Sequence, residues 1–547
     1  MKKILIAIIG SAVLFTSCQK LLKEDVRNEI SDLYYTTPSG VEDGVKASYS
    51  YLRKWYGKQY TAWLTMYSDE YTNGAADATV NDYTASLNPS SAIIRNPWNE
   101  TYTAINTCNA VLKAAENVDM AEQLKKARIG ELRFLRANYF FLLVQTYGPI
   151  SLPLNPTESA SSNAVRKPIA EVYKAIIEDL NYAIANLPLP GATDYGRATS
   201  LAAKHALAKV YLAKAGSSAK EASDYANAAT LAKAVIDSKK YTLLSDFASI
   251  FSGKANSEVI FSCQYSDDPL AGGTPGNQGN NTHLFFGTAY DKLPGMQRDI
   301  ANGRPYNHFR PTNYMLGLYD KQHDSRFDKS FKTVWYCNKP GKYTISGKSV
   351  NMLLGDTAIL MTDYEPTQAQ RNAAKYTIVA PSDQFSTLFP QSSKHIDASR
   401  LDVNNVNGFK DEIIFRLGET YLIAAEALLM DGKPDEAVFY VNELRKRAAI
   451  VDPDPAVTDA NKLAMEVDAS DLNIDFILDE RARELNGEYM RWFDLVRTGK
   501  LLERVKLYNA SGAVNIKPYH VLRPIPQTQI DRVVGGATVY PQNDGYN

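Results

Sequence analysis

The stretch that decides how this chain reads is Glu480-Arg481-Ala482-Arg483-Glu484-Leu485-Asn486-Gly487-Glu488-Tyr489-Met490-Arg491-Trp492-Phe493-Asp494-Leu495-Val496-Arg497-Thr498-Gly499. Acids and arginines are interleaved here with large apolar residues. Glu480, Arg481, Glu484 and Arg491 are expected to form a buried charge network that ties helices together, with Trp492 in the core. Such a network is costly to break, because removing one ion strands its partner away from water.

Helical patterns surround this stretch. Residues 413–430 and 435–448 read as two helices joined by Asp431-Gly432-Lys433-Pro434, with glycine closing the first and proline opening the second. Tyr421-x2-Ala424-Ala425-x2-Leu428, then Ala437-x3-Val441, follows the large–small–large spacing of a tetratricopeptide repeat, and Leu207-Ala208-x2-Tyr211 repeats its first half. Small residues at these positions let paired helices approach closely. Further helices are expected over 98–118, 122–147, 169–187 and 200–215, and Val41, Val45, Ser48, Leu52 and Trp55 share one helix face. The second of these stops at Gly148-Pro149. Ser218-Ala219-Lys220-Glu221 has the form of a capping box opening a helix to about 237. The expected fold is mostly α, with about four degenerate tetratricopeptide-type helix pairs over about 41–250 and 411–510. They support a long irregular insertion over about 251–410, with short strands at 259–264 and 333–337, and 41–547 forms a single domain. The stretch 267–282 is rich in Gly and Pro, and loops this long are usually functional or mobile.

Composition excludes several classes. The chain has 547 residues, with 60 Lys+Arg against 61 Asp+Glu, so nucleic acid is not an expected partner. Four cysteines do not make a disulfide scaffold. Tyrosine stands out, at 34 against 19 Phe. A flat apolar ring with a polar tip suits a wet binding surface, and a tyrosine-rich core is the alternative.

The first residues, MKKILIAIIGSAVLFTS, carry a charged start at Lys2 and Lys3 and an apolar run from Ile4 to Phe15. This reads as a secretory signal over 1–17. Phe15-Thr16-Ser17-Cys18 has the form of a lipoprotein cleavage site, which makes Cys18 the lipid attachment point and 18–40 an anchor segment. Several acyl chains hold a protein stably on a membrane where one is marginal. Cleavage leaves 530 residues with a net charge of −3 and three cysteines, Cys108, Cys263 and Cys337. At most one disulfide can form among these three.

Motifs for catalysis fail on spacing. Gly341-Lys342-Tyr343-Thr344-Ile345-Ser346-Gly347-Lys348-Ser349 has five residues between its glycines where a phosphate-binding loop needs four. Asp402 to Gly408 imitates a calcium loop in the wrong register. The six histidines are scattered, so no metal site is expected. Ser217-x2-Lys220 matches an acyl-enzyme pattern, but a role at a helix start accounts for it. No cofactor is expected, and the chain reads as a non-enzyme.

The C-terminal stretch resembles the signature of the SusD/RagB family of outer-membrane lipoproteins, an E-R-x-x-E helix followed by R-W/Y-x-D-L-x-R. The resemblance extends to Glu131-Leu132-Arg133-Phe134-Leu135-Arg136-Ala137 running to Tyr147-Gly148, to Tyr519-x2-Leu522-x-Pro524-Ile525-Pro526, and to the ending Tyr540-Pro541-Gln542-Asn543-Asp544-Gly545-Tyr546. It implies a SusD-like fold and capture of a nutrient at the outer membrane, facing the cell exterior. Delivery would be to a TonB-dependent SusC-like transporter. The acids of Lys23-Glu24-Asp25 come late after Cys18, so exposure at the cell surface rests on the resemblance alone. The ligand is expected to be an oligosaccharide or polysaccharide. The alternatives are a peptide, which a branch of the family binds, a surface glycoside hydrolase, and a helical scaffold that touches no substrate.

Sugars are gripped by aromatic faces, with amides, carboxylates and arginines bonding the hydroxyls. Residues 49–83 hold nine aromatics: Tyr49, Tyr51, Trp55, Tyr56, Tyr60, Trp63, Tyr67, Tyr71 and Tyr83. The resemblance implies a binding face built from this segment and the insertion, which offers Tyr290, Tyr306, Trp335 and Tyr336. Trp55 lies on the apolar helix stripe and reads as core. The expected ligand contacts are Trp63, Tyr71, Tyr83, Asp69, Asn73, Asp82, Tyr290 and Trp335.

Overall fold

Short-range signals set the helix starts. In the computed structural model, which describes residues 34–546 apart from 160, 192, 254 and 269–278, helix α1 (Pro38–Ser50) opens where the Thr37 hydroxyl accepts from the Gly40 amide at 3.0 Å. The signal sequence, Cys18, the first part of the anchor segment and most of the 267–282 stretch lie outside the described residues. Then follow α2 (Gln59–Met66), α3 (Ala92–Glu116), α4 (Glu122–Tyr147), α5 (Ile169–Asn186), α6 (Ser200–Ala215) and α7 (Asp224–Asp237). After the insertion come α8 (Leu417–Met430), α9 (Pro434–Ala448), α10 (Ile474–Leu485) and α11 (Arg491–Arg497).

Helices α3 to α9 form a single file in which each packs on the next. Helix α8 therefore sits directly on α7, although the whole insertion lies between them in sequence. The small residues make this possible: Ala202, Ala203, Ala206, Ala208 and Ala213 of α6 and Ala424, Ala425 and Ala427 of α8 are all buried. At the end of α4, Gly148 takes φ +74°, and a side chain there would meet Leu522 at 2.9 Å. The fold is mostly α, with a helical-repeat scaffold.

Strands are few and short: β1 (Tyr71–Asn73), β2 (Val259–Cys263), β3 (Phe309–Pro311), β4 (Val334–Tyr336), β5 (Gly341–Ile345), β6 (Lys348–Met352), β7 (Thr357–Met361), β8 (Thr377–Val379) and β9 (Glu412–Arg416). β1 pairs with β3, and β2 with β9, both antiparallel, so the insertion is stitched to the scaffold at two places. Strands β4, β7 and β8 form a small sheet over a separate apolar core that contains Tyr290, Trp335, Cys337, Met352 and Ile359.

Three sequence expectations are corrected. The 413–430 segment is not one helix: its first residues belong to β9, where Phe415 faces Phe261, and α8 starts only at Leu417. The run Ile413-Ile414-Phe415 fits a pleated surface better than a helix. Helix α3 begins at Ala92 rather than 98, because the Ser91 hydroxyl accepts from the Ile93 amide. The capping box at Ser218 does not form. Ser217 instead accepts from the Ala219 amide at 3.1 Å, and α7 starts at Asp224. The 341–349 run, whose spacing already fails the phosphate-loop pattern, forms the β5–β6 hairpin, with Ser346 and Gly347 both at positive φ in its turn. Cys108, Cys263 and Cys337 are all buried free thiols.

The expected charge network is real and larger than anticipated. Glu484 on α10 receives Arg326 at 3.0 Å, Arg416 at 2.8 Å and Arg447. Glu480, one turn earlier, binds Arg326 at 2.7 Å and Arg445 at 2.9 Å. Arg416 also holds Glu258 at 3.0 Å and Glu488 at 2.8 Å. Arg481 binds Asp494 at 2.7 Å, and Arg491 grips Asp69 with two bonds of 2.8 and 2.6 Å. Trp492 is fully buried, with the Arg523 guanidinium 4.2 Å from its ring centre.

Burial alone would raise the Glu480 pKa, but the charges of Arg326, Arg483 and Arg445 carry it down to about 2. Its contribution to stability is therefore complete above the unfolded value near 4.5 and is lost as pH falls toward about 2. Glu484→Ala leaves three buried arginines short of a partner and is expected to destabilise the protein by about 3–5 kcal/mol. The exposed Lys462→Ala should stay within about 0.5 kcal/mol. Urea unfolding of both variants measures the contrast.

Candidate functional site

The aromatic segment meets the insertion at a cleft of about 490 Å³. Lys54, Lys58, Gln59 and Tyr60 come from the start of α2 and the turn before it, and Asn96 and Glu100 from the early turns of α3. The insertion supplies Asn281, Phe285 and Tyr306. Tyr60 and Tyr306 are only half-buried. Each is braced from behind by rings that water does not reach. Tyr60 lies 5.8 Å from Trp63, Trp63 lies 5.5 Å from His308, and Tyr306 lies 5.7 Å from the same histidine. Phe285 stacks on His308 at 5.2 Å. Burial holds the His308 pKa down to about 4, so this brace is neutral at neutral pH.

Polar groups at the mouth are positioned by backbone contacts. Asn281 donates to the Val406 carbonyl at 2.8 Å, and its own amide donates to the Gly57 carbonyl at 2.9 Å. Lys58 donates to the Gly279 carbonyl at 2.8 Å. Burial lowers the Lys58 pKa to about 8, with the nearby charges of Lys54 and Arg53 adding to the effect. Lys54 and Glu100 stand 4.0 Å apart. Two tyrosine faces rimmed by amides, lysines and one carboxylate can hold a flat, hydroxylated ligand.

Two larger hollows exist. One of about 640 Å³ lies beside the small sheet and offers the exposed ring of Tyr364. The other, of about 630 Å³, is an apolar groove between the end of α4, the start of α5 and α11. Neither presents a pair of braced aromatic faces. Among the described residues no group of three or more His, Cys, Asp or Glu is placed to hold a metal ion. No described helix is long and apolar enough to cross a membrane.

The structure places most of the expected contacts elsewhere. Trp63, Tyr71, Tyr83, Asp69, Tyr290 and Trp335 are buried, so as folded here they are not surface contacts. Tyr71 packs edge-on to Phe286 and donates to Asn486 at 3.2 Å. Tyr83 lies 4.9 Å from His520. Asp69 is the partner of Arg491. Tyr290 and Trp335 stack on each other inside the insertion's own core, and the Tyr290 hydroxyl donates to the Gly303 carbonyl at 2.8 Å. Asn73 and Asp82 are half-buried and locally bonded, Asn73 accepting from Tyr67 at 3.0 Å and Asp82 from Asn81 at 2.7 Å. Ring density along the chain carries no information on which way a ring points. Tyr60 is one of the nine aromatics of 49–83, and Tyr306 is one of the rings of the insertion. Lys54, Lys58, Glu100 and Asn281 were missed, because no local pattern marks a residue whose neighbour is distant in sequence.

A helical-repeat array carrying a strand-poor insertion, with a braced aromatic cleft at their junction, defines the class of fold. A family model described as "SusD family" matches residues 257–546, and one described as "Starch-binding associating with outer membrane" matches 39–212. This chain belongs to the SusD family. It is 24% identical to "SusD-like protein P25" of Formosa agariphila, over 94% of both chains. It is 25% identical to "Starch-binding protein SusD" of Bacteroides thetaiotaomicron, over 81% of this chain and 76% of that one. Among solved structures, a laminarin-binding SusD-like protein shares the fold with a TM-score of 0.66 and 22% identity, covering 93% of this chain and all of its own.

The brace gives a testable distinction. Trp63→Ala removes a buried ring and is expected to cost about 3–5 kcal/mol of stability. Tyr60→Ala, at a half-buried position, should cost clearly less. Denaturant midpoints of the two variants measure the difference, and equal losses would contradict the assignment of Trp63 to the core and Tyr60 to the cleft.

Proposed function

We propose that this protein captures an oligosaccharide or polysaccharide in the Tyr60–Tyr306 cleft and delivers it, without chemistry, to a TonB-dependent SusC-like transporter in the outer membrane. The observation that carries the reading is the pair of half-buried tyrosines, each backed by buried rings. A rigid aromatic plane binds the C–H face of a sugar with little loss of side-chain freedom, and expelling water from both surfaces favours contact. Gln59, Asn96 and Asn281 are placed to bond hydroxyls around the ring. The starch-binding and laminarin-binding relatives support a glycan as ligand, and the family description "associating with outer membrane" supports the location.

Binding is favoured over glycoside hydrolysis by the lining. Hydrolysis uses two carboxyl groups about 5–10 Å apart. Glu100 is the one carboxylate lining the cleft among the described residues, and it lies beside Lys54.

Titration calorimetry of the mature protein against a panel of glycans and peptides tests the reading. Binding of at least one glycan is expected, with Tyr60→Ala and Tyr306→Ala each weakening it about tenfold or more, or roughly 1.4 kcal/mol. Binding of peptides and of no glycan would overturn the carbohydrate part. Release of cleaved product from a bound glycan would overturn the non-enzymatic part.

The lipid attachment at Cys18 belongs to the same proposal. Cys18→Ala is expected to leave the folded domain intact and move the protein from the membrane fraction to the soluble one. Fractionation in cells lacking the transporter partner reads this directly, and retention on the membrane there would contradict a lipid anchor.

A further inference from the structure

We infer that Glu412 is a positioning residue for the cleft, and that capture weakens when its carboxylate takes up a proton. The inference rests on the glycan-capture reading above and adds the regulation of that site. Glu412 opens β9, is buried and does not line the cleft. One oxygen, Oε2, accepts from the Asn280 side-chain amide at 2.9 Å and from the Thr282 hydroxyl at 2.8 Å. These two residues flank Asn281, which lines one wall. The Thr282 hydroxyl lies 2.8 Å from the Tyr489 hydroxyl, which accepts from the Gly57 amide at 3.2 Å. Gly57 belongs to the turn that leads Lys58, Gln59 and Tyr60 into the other wall. At φ +79° it is packed so closely that a Cβ there would stand 2.8 Å from Asn280.

Each hydroxyl has one proton to give, so the chain has a direction. Gly57 donates to Tyr489, Tyr489 to Thr282, and Thr282 to Glu412. An ionised carboxylate only accepts, so it orients every donor behind it, and its charge strengthens both of its own bonds. A protonated Glu412 weakens them. With the proton on Oε2 it becomes a donor, Thr282 turns its proton toward Tyr489, and the Tyr489 proton loses its acceptor. The joint between the two walls then loosens.

Burial pushes the Glu412 pKa up from 4.5 to about 7, against the bonds from Asn280 and Thr282 and the charge of Lys410, with Glu488 adding to the rise. The ionised form thus prevails at pH 8 and the neutral form at pH 6, and affinity falls with pH. Of the groups around it, His395, with Nδ1 3.9 Å from the other carboxylate oxygen, and His283 are held low by burial and stay neutral. Cys263, opposite on β2, Tyr265 and Tyr489 are pushed up by burial and keep their protons. Glu488 is paired with Lys394 and Arg416. Burial brings Asp411 up to about 6 and Lys410 and Lys58 down to about 8, so these three titrate at the edges of the same window. A change at Glu412 itself separates its effect from theirs.

Amide exchange of the mature protein, corrected for intrinsic rate, reads the joint without a ligand. Segments 57–61 and 279–286 are expected to lose protection several-fold from pH 8 to pH 6. Calorimetry with the oligosaccharides of laminarin and of starch, which do not titrate in this range, should show a parallel loss of affinity. That loss is at most about tenfold, because the ionised fraction falls from about 0.9 to about 0.1. Glu412→Gln keeps the shape and cannot ionise, so it should show the pH 6 behaviour at both pH values. Thr282→Val breaks the chain nearer the cleft and should reduce the pH dependence with Glu412 still in place, which carries the test if Glu412→Gln does not fold. Equal protection and affinity at both pH values, or a pH dependence that survives in Glu412→Gln, would overturn the inference and leave glycan capture standing. The expected exchange with neither glycan bound at either pH would support the positioning role and count against glycan capture.

Discussion

The rest of the structure depends on the buried carboxylate of Glu484. Withdrawing it from water is costly, and burial by itself would raise its pKa. The charges of Arg447, Arg416 and Arg326 overcome that penalty and hold it well below the usual carboxylate range. Those arginines come from α9, β9 and the insertion, so one side chain on α10 gathers elements far apart in sequence. Any arrangement that brings in fewer than all three leaves a charge stranded. Replacing such a network with well-packed apolar side chains is often neutral for stability, whereas removing one member strands its partners. The network is also why β9 and α8 meet at Arg416: the side chain of that residue is committed to Glu484, Glu488 and Glu258.

The tyrosines act in a complementary way. Many are buried, where the ring fills space, and several donate their hydroxyl to a backbone carbonyl of another segment. Tyr139 donates to Ser48, Tyr147 to Ile94 and Tyr67 to His308 across segments distant in sequence. A phenylalanine in these places would fill the same space and lose the hydrogen bond. The cleft arises where this aromatic core reaches the surface, with Trp63 and His308 inside and Tyr60 and Tyr306 at the edge.

The short motif look-alikes share one cause. The glycine-spaced run at 341–349, the Ser218 capping pattern and the Asp402 loop are all short, polar and rich in turn formers, and turns reuse the same residue types as ligand loops. Asp402 accepts from the Asn404 amide and Asn405 from the Asn407 amide, which are ordinary turn contacts. Long helices were more legible, because their apolar periodicity is repeated over several turns: 122–147 and 200–215 coincide with α4 and α6.

Tyrosine density, helix periodicity, small-residue spacing and the 480–499 signature together determined the helical array, the existence of a buried charge network and the family resemblance. Each is written along the chain within a few turns of helix. Tertiary structure alone decided that α8 lies on α7, that Arg326, Arg416 and Arg447 are the partners of Glu484, and that Tyr60 rather than Trp63 faces the cleft. The partners of Glu484 lie 37, 68 and 158 positions away along the chain, and the direction of a side chain is fixed by what packs behind it, which local sequence does not contain.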